Sequence, residues 1–169
     1  MKRYTIALLL ASLALPASEL AQASPDAPKS AATSNDFGAV ANTALAVMRA
    51  RADKLGIGGV AVVAYFQGDP VQSWTSKMIV VGRYKDLPSA TDKGSNLLAI
   101  AYAKAAEMAD THQDSGSGVR PPMIGEYGWK GGVIAQTKSG YVIASFSGGK
   151  SEDDVAISRE GLEKLKARF

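Results

Sequence analysis

The chain has 169 residues and a mass of 17.6 kDa, room for one domain. Hydrophobic residues make up 46% and charged residues 21%, with a formal net charge of +3, which excludes long disordered, collagen-like and coiled-coil chains. With no cysteine and a single histidine, His112, disulfides, thiolate catalysis, iron–sulfur clusters and zinc centres built on cysteines or several histidines are excluded too.

Met1-Lys2-Arg3 is a short basic start, Ile6 to Leu15 is apolar, and Ala21-Gln22-Ala23 offers small residues for a cleavage site. This is the three-part layout of a secretory signal. The apolar stretch is about half of the roughly 20 residues that a membrane span needs. Residues 1–23 are therefore expected to be a signal peptide. The protein is expected to be periplasmic or secreted, with no membrane association after cleavage. Removing Lys2, Arg3 and Glu19 lowers the formal charge from +3 by one. No dense Lys/Arg stripe with interleaved aromatics appears, so nucleic acid is not an expected partner. Residues 24–34, rich in Ser, Ala and Pro, read as a flexible tail, and residues 35–169 as a single domain.

Phe37 to Leu55 carries apolar residues at three- and four-residue steps, which predicts a helix. Asn35 or Asp36 can cap its start and Gly56 can end it. Ile57 to Phe66 is a continuous apolar run and predicts a buried strand. After a turn at Gln67-Gly68-Asp69-Pro70, Val71 to Tyr84 reads as one or two strands, with Trp74, Met78 and Val80 on one side. The pair reads as an antiparallel hairpin. Lys85 to Gly94 is a polar connection.

Asn96 to about Gln113 predicts a second helix, with Leu97, Ala101, Lys104, Ala105 and Met108 on one face. Asp114 to Gly131 lacks periodicity, and a loop of this length is usually functional or mobile. Gly132 to Lys138 and Tyr141 to Phe146 read as strands joined by a two-residue Ser139-Gly140 turn. Ser151 can cap a last helix whose first turn carries Glu152, Asp153 and Asp154, suited to the positive end of the helix dipole. Val155, Leu162, Leu165 and Phe169 form its expected buried stripe. The order implies an α+β domain: an antiparallel sheet of about five strands with helices packed on it.

Ala144 to Ser151 fits a relaxed phosphate-loop pattern between a strand and a helix. It stands late in the chain, and no apolar run ending in Asp follows, so nucleotide hydrolysis is not expected. A milder role survives: Ser147, Gly148 and Gly149 at a helix start can offer backbone N–H groups to a carboxylate or phosphate. Asp114-Ser115-Gly116 is too isolated to be an aspartic-protease triplet.

His112, the one side chain with an ordinary pKa near neutrality, ends the second helix beside the long loop. It can be a helix-end cation, a core residue, or an axial ligand to haem iron. Met123, Tyr127 and Trp129 share the loop with Arg120 and Lys130. Aromatic rings, a methionine and cations on one loop suit a flat amphipathic ligand with carboxylates. They equally serve to anchor the loop to the core.

From about Phe37 onward the pattern resembles the GlcG/HbpS-like family of haem-binding and haem-degrading domains. The resemblance is carried by Gly131-Gly132-Val133-Ile134, Gly140, Ser147-Gly148-Gly149, Glu152 to Ala156 and Gly161-Leu162. Ala101-Tyr102-Ala103-Lys104-Ala105 is similar to the family's central Ala/Lys helix. Departures from the family pattern fall at Ala64, Ile134 and Ala144, and residues 114–129 have no counterpart in it. The resemblance implies a five-stranded antiparallel sheet, a homo-oligomer, and haem as a candidate cofactor.

The expected function is therefore that of an exported small-ligand-binding protein, with haem or a similar amphipathic molecule as ligand. Its candidate contacts are Arg120, Met123, Tyr127, Trp129, Ser147, Gly148 and Gly149, with His112 as the candidate haem-iron ligand. The alternatives are a haem-degrading or small-acid-metabolism enzyme, and an accessory protein acting through a partner. No paired carboxylates, second histidine or activated nucleophile mark an enzyme in the sequence.

Overall fold

The computed structural model describes residues 30–169, with side chains from Phe37 onward. The expected signal peptide and residues 24–29 lie outside the described residues. Three helices and an antiparallel sheet form an α+β domain.

Helix α1 (Ser30–Leu55) starts before Phe37, so residues 30–34 are helical and Asn35 and Asp36 sit inside the helix instead of capping it. No glycine or proline stands between Pro28 and Gly38 to stop the helix from extending upstream. Its end is as the sequence predicts. Gly56 has φ 68°, and the Gly56 and Ile57 amides donate to the Asp53 and Ala52 carbonyls at 3.0 and 2.9 Å. That is the Schellman arrangement.

Strands β1 (Gly59–Gln67) and β2 (Ser73–Val81) form the expected hairpin. Strands β5 (Gly132–Gln136) and β6 (Tyr141–Ser147) form a second one. Its loop runs over four residues, Thr137 to Gly140, not the two expected, because Gln136 pairs with Tyr141 and the Thr137 amide donates to the Gly140 carbonyl at 2.7 Å.

The sheet has four strands in the order β2-β1-β6-β5, not five. β3 (Lys85–Asp86) and β4 (Ser95–Asn96) pair only with each other. The chain leaves the main sheet at Gly82, whose φ of 69° turns it sharply enough for the Arg83 amide to donate to the Val81 carbonyl at 2.7 Å.

β1 and β6 lie in the middle, which explains why Gly59 to Phe66 are all buried. Ala61, Val63 and Tyr65 face α1 and α3 (Ser151–Lys166), packing with Phe37, Leu45, Met48, Phe146, Ile157, Leu162 and Leu165. Val60, Val62, Ala64 and Phe66 face α2 (Leu97–Thr111), packing with Leu97, Ile100, Ala105 and Met108. So two helices cover one face of the sheet and one helix covers the other. α2 packs chiefly on the central strands β6 and β1 and also on β5. On the edge strand β2 it reaches Met78 and, through Tyr102, Ser76 at 3.5 Å, and the Trp74 end of that strand stays exposed.

The α2 boundaries follow the sequence closely. The Asn96 side chain accepts from the Ala99 amide at 3.0 Å, and His112 closes the helix at φ 52° with its amide on the Met108 carbonyl. For α3, Ser151 is the first helical residue rather than its cap, and Lys150 in the capping position makes no side-chain cap bond. Asp154 serves the turn instead, taking the Gly149 amide at 2.8 Å.

Candidate functional site

Four of the sequence-predicted residues, Trp129, Ser147, Gly148 and Gly149, line one small cleft of about 190 Å³ where β6 passes into α3. Beneath them is an ion pair between α2 and α3. Lys104 Nζ lies 2.9 Å from Asp154 Oδ2, with side-chain exposures of 3% and 4%. Lys104 also donates to the Phe146 carbonyl at 2.7 Å. Burial holds the Lys104 ammonium below its ordinary pKa, against the pull of Asp154. Burial likewise holds the Asp154 carboxyl above its ordinary value, against Lys104 and the Gly149 and Gly148 amides. The glycines are needed for approach: a Cβ on Gly148 would run into the backbone of Gly58 and Gly59. The pair balances its own charge, so it is a strut between α2 and α3 with one side open to the cleft.

Arg120 is not in that cleft. Its Nη1 and Nη2 meet Glu126 at 2.7 and 2.8 Å, its Nε and Nη2 meet Asp110 at 2.9 and 2.7 Å, and Nη1 also donates to the Pro121 carbonyl at 3.0 Å. A guanidinium has five N–H donors, and all five are used. Arg120 therefore clamps the loop to α2 and has no donor left for a ligand carboxylate. Glu126 also takes the Met123 amide at 2.9 Å, and the Arg120 guanidinium holds its carboxyl below the usual range.

The start of the same loop is pinned to the outer edge of β5. Ser115 Oγ accepts from the Gly132 amide at 2.8 Å, and Asp114 Oδ1 accepts from the Ile134 amide at 3.1 Å. These bonds cover an edge that would otherwise be free to pair. Met123 and Tyr127 are exposed, and Tyr127 leans on Trp129 with centroids 4.9 Å apart.

His112 belongs to an aromatic row. Its ring stacks on Tyr141 at 4.4 Å and 1°, and lies 6.1 Å from Phe66. Phe66 in turn stacks on Tyr141 at 4.9 Å and on Trp74 at 5.9 Å. His112, Arg120 and the small cleft do not converge on one site.

The large opening lies elsewhere. Beside the Trp74 end of β2, a cleft of about 690 Å³ is lined by Asp69, Pro70, Val71, Trp74, Tyr102, Ala106, Ala109 and Asp110. Its volume is that of a small-molecule site. The Trp74 ring, 40% exposed, forms one wall and is held from behind by Phe66. Ala106 and Ala109 form the helical wall, and their short side chains leave the space open.

Sequence reasoning missed this cleft and the ion pair below the other one. Each left a signal. Lys104 falls on the apolar stripe of α2, where a charge needs a buried partner. Trp74 shares a strand face with Met78 and Val80, and the single helix on that face covers Met78 while leaving Trp74 and Val80 exposed. No protein-family model and no curated protein matches the chain.

Proposed function

We propose that this protein is an exported small-ligand-binding domain, and that its ligand is an amphipathic molecule seated between β2 and α2. The observation that carries this reading is the 690 Å³ cleft, mostly apolar, with the Trp74 ring as a wall. A pocket of this kind excludes water from an apolar ligand while a few polar groups at its rim set orientation. The scaffold suits binding, because both walls are fixed. Trp74 is stacked on buried Phe66, and α2 is anchored by the Lys104–Asp154 pair and the Asp110–Arg120 contact.

Haem, which the family resemblance implies, does not fit the residues of this cleft. The lining holds no imidazole or thioether, its one phenol, Tyr102, already meets Ser76 at 3.5 Å, its charged residues Asp69 and Asp110 are acids that disfavour the carboxylates of haem, and the five donors of Arg120 are engaged. The resemblance supports the layout and the binding-module reading, not this cofactor at this place.

The test is a titration of ¹⁵N-labelled protein with indole, followed by amide chemical shifts. Saturable shifts at residues 69–74 and 102–110 are expected. Shifts confined to residues 147–154, or none, would reject the reading.

A further inference from the structure

We infer that the ligand of the α2–β2 cleft is an organic cation, an ammonium group on an apolar body. This rests on the reading of the cleft as a ligand site and goes one step further, to the ligand's charge.

Two of the residues lining the cleft are charged, Asp69 and Asp110, and both are acids; no lysine or arginine is among them. Asp69 is exposed on the turn after β1 and pairs with no cation among the described residues. Asp110 does have a cation, Arg120, at 2.7 Å, but that guanidinium is shared with Glu126 at 2.7 Å. Two carboxylates around one guanidinium leave the group with a net negative charge. The lining therefore carries a net negative charge, which attracts cations.

Two aromatic residues, Trp74 and Tyr102, line the same cleft. The face of an indole ring attracts an ammonium group, and does so best among the aromatic side chains. The rest of the lining, Pro70, Val71, Ala106 and Ala109, offers only apolar surface to the remainder of the molecule. An anionic ligand would set like charge against both carboxylates in a partly desolvated place. A neutral apolar ligand would leave the rim charges unused.

Three probes of matched shape decide between these classes: benzyltrimethylammonium, its carbon isostere neopentylbenzene, and phenylmethanesulfonate. Binding is followed by amide shifts of residues 69–74 and 102–110. The cation is expected to bind at least about tenfold more tightly than the isostere, the scale of a partly desolvated cation–π contact with added carboxylates. The sulfonate is expected not to saturate. Asp69→Asn, at an exposed turn position, should weaken the cation about two- to fivefold and leave the isostere unchanged. Added salt should act in the same direction. An isostere that binds as well as the cation, a sulfonate that binds better, or an Asp69→Asn effect equal for charged and neutral probes would overturn the inference while leaving the cleft a ligand site. If none of the three probes moves these amides, the cleft reading falls, and the inference with it.

Discussion

Lys104 of α2 and Asp154 of α3 meet at 2.9 Å through the plane of the sheet, the one helix lying on the opposite face from the other. The contact passes where β6 gives way to α3, and Lys104 takes the Phe146 carbonyl there as well. The two layers are thus joined by a buried charge pair in addition to apolar packing. Removing one partner leaves the other buried and unpaired, which costs about 3–5 kcal/mol. Lys104→Met is expected to lower stability by about that amount in urea unfolding. The double variant Lys104→Met with Asp154→Asn, which removes both charges and keeps an acceptor for the Gly149 amide, should recover part of the loss, because it leaves no unpaired buried charge.

Arg120 gives a second prediction, with a pH sign. The folded-state pKa of Glu126 is depressed, chiefly by the hydrogen bond from Arg120. A depressed carboxyl contributes stability that is complete above its ordinary value of 4.5 and is lost as pH falls through the lower folded value. The loop clamp should therefore hold at neutral pH and open in acid, below the usual carboxylate range. The Met123 amide, which donates to Glu126, reports this as a chemical-shift titration. Glu126→Gln should abolish the titration, and Arg120→Ala should move it up toward the ordinary value.

Two glycines are expected to answer oppositely to alanine. Gly148 is packed so closely on Gly58 and Gly59 that a Cβ has no room. Gly148→Ala should destabilise by about 1–3 kcal/mol, the usual cost of overpacking, with a matching fall in melting temperature. Gly38, inside α1, has nothing within 4 Å of an added Cβ. Gly38→Ala should stabilise by about 0.4–1 kcal/mol, through the unfolded chain's lost freedom.

His112 holds a left-handed backbone, φ 52°, and a ring stacked on Tyr141. His112→Ala loses the stack and keeps the backbone strain. His112→Gly loses the stack and relieves the strain, so it should be the more stable of the two by about 1 kcal/mol. Chemical denaturation of both variants checks the order.

The elements themselves were legible because their patterns are local. The stripe Phe37, Ala41, Ala44, Leu45, Met48, Ala52 repeats at helical spacing, and the structure buries all six. Asn96 and Gly56 act at the helix ends that their chemistry suits. The number of strands in the sheet was not legible, since one left-handed residue, Gly82, decides whether the chain after β2 continues in it. Site chemistry was harder for the same kind of reason. Arg120 reads as a ligand contact until its partners, ten residues upstream and six downstream, are known to use every donor. The α2–β2 cleft arises because a single helix lies on this face of a four-stranded sheet and leaves the Trp74 end of β2 exposed, a relation among segments far apart in sequence.

The cleft beside Trp74 is the proposed ligand site. Ala106 lines it, is exposed, and points into no packed core. Ala106→Trp should fill the cleft with an indole of its own while leaving the melting temperature within a few degrees of wild type, as surface substitutions generally do. The decisive measurement is the affinity of this variant for indole, read from the amide shifts of residues 69–74. A loss of about tenfold or more is expected, the scale of an occupied apolar pocket. Affinity equal to that of wild type, in a folded variant, would contradict it.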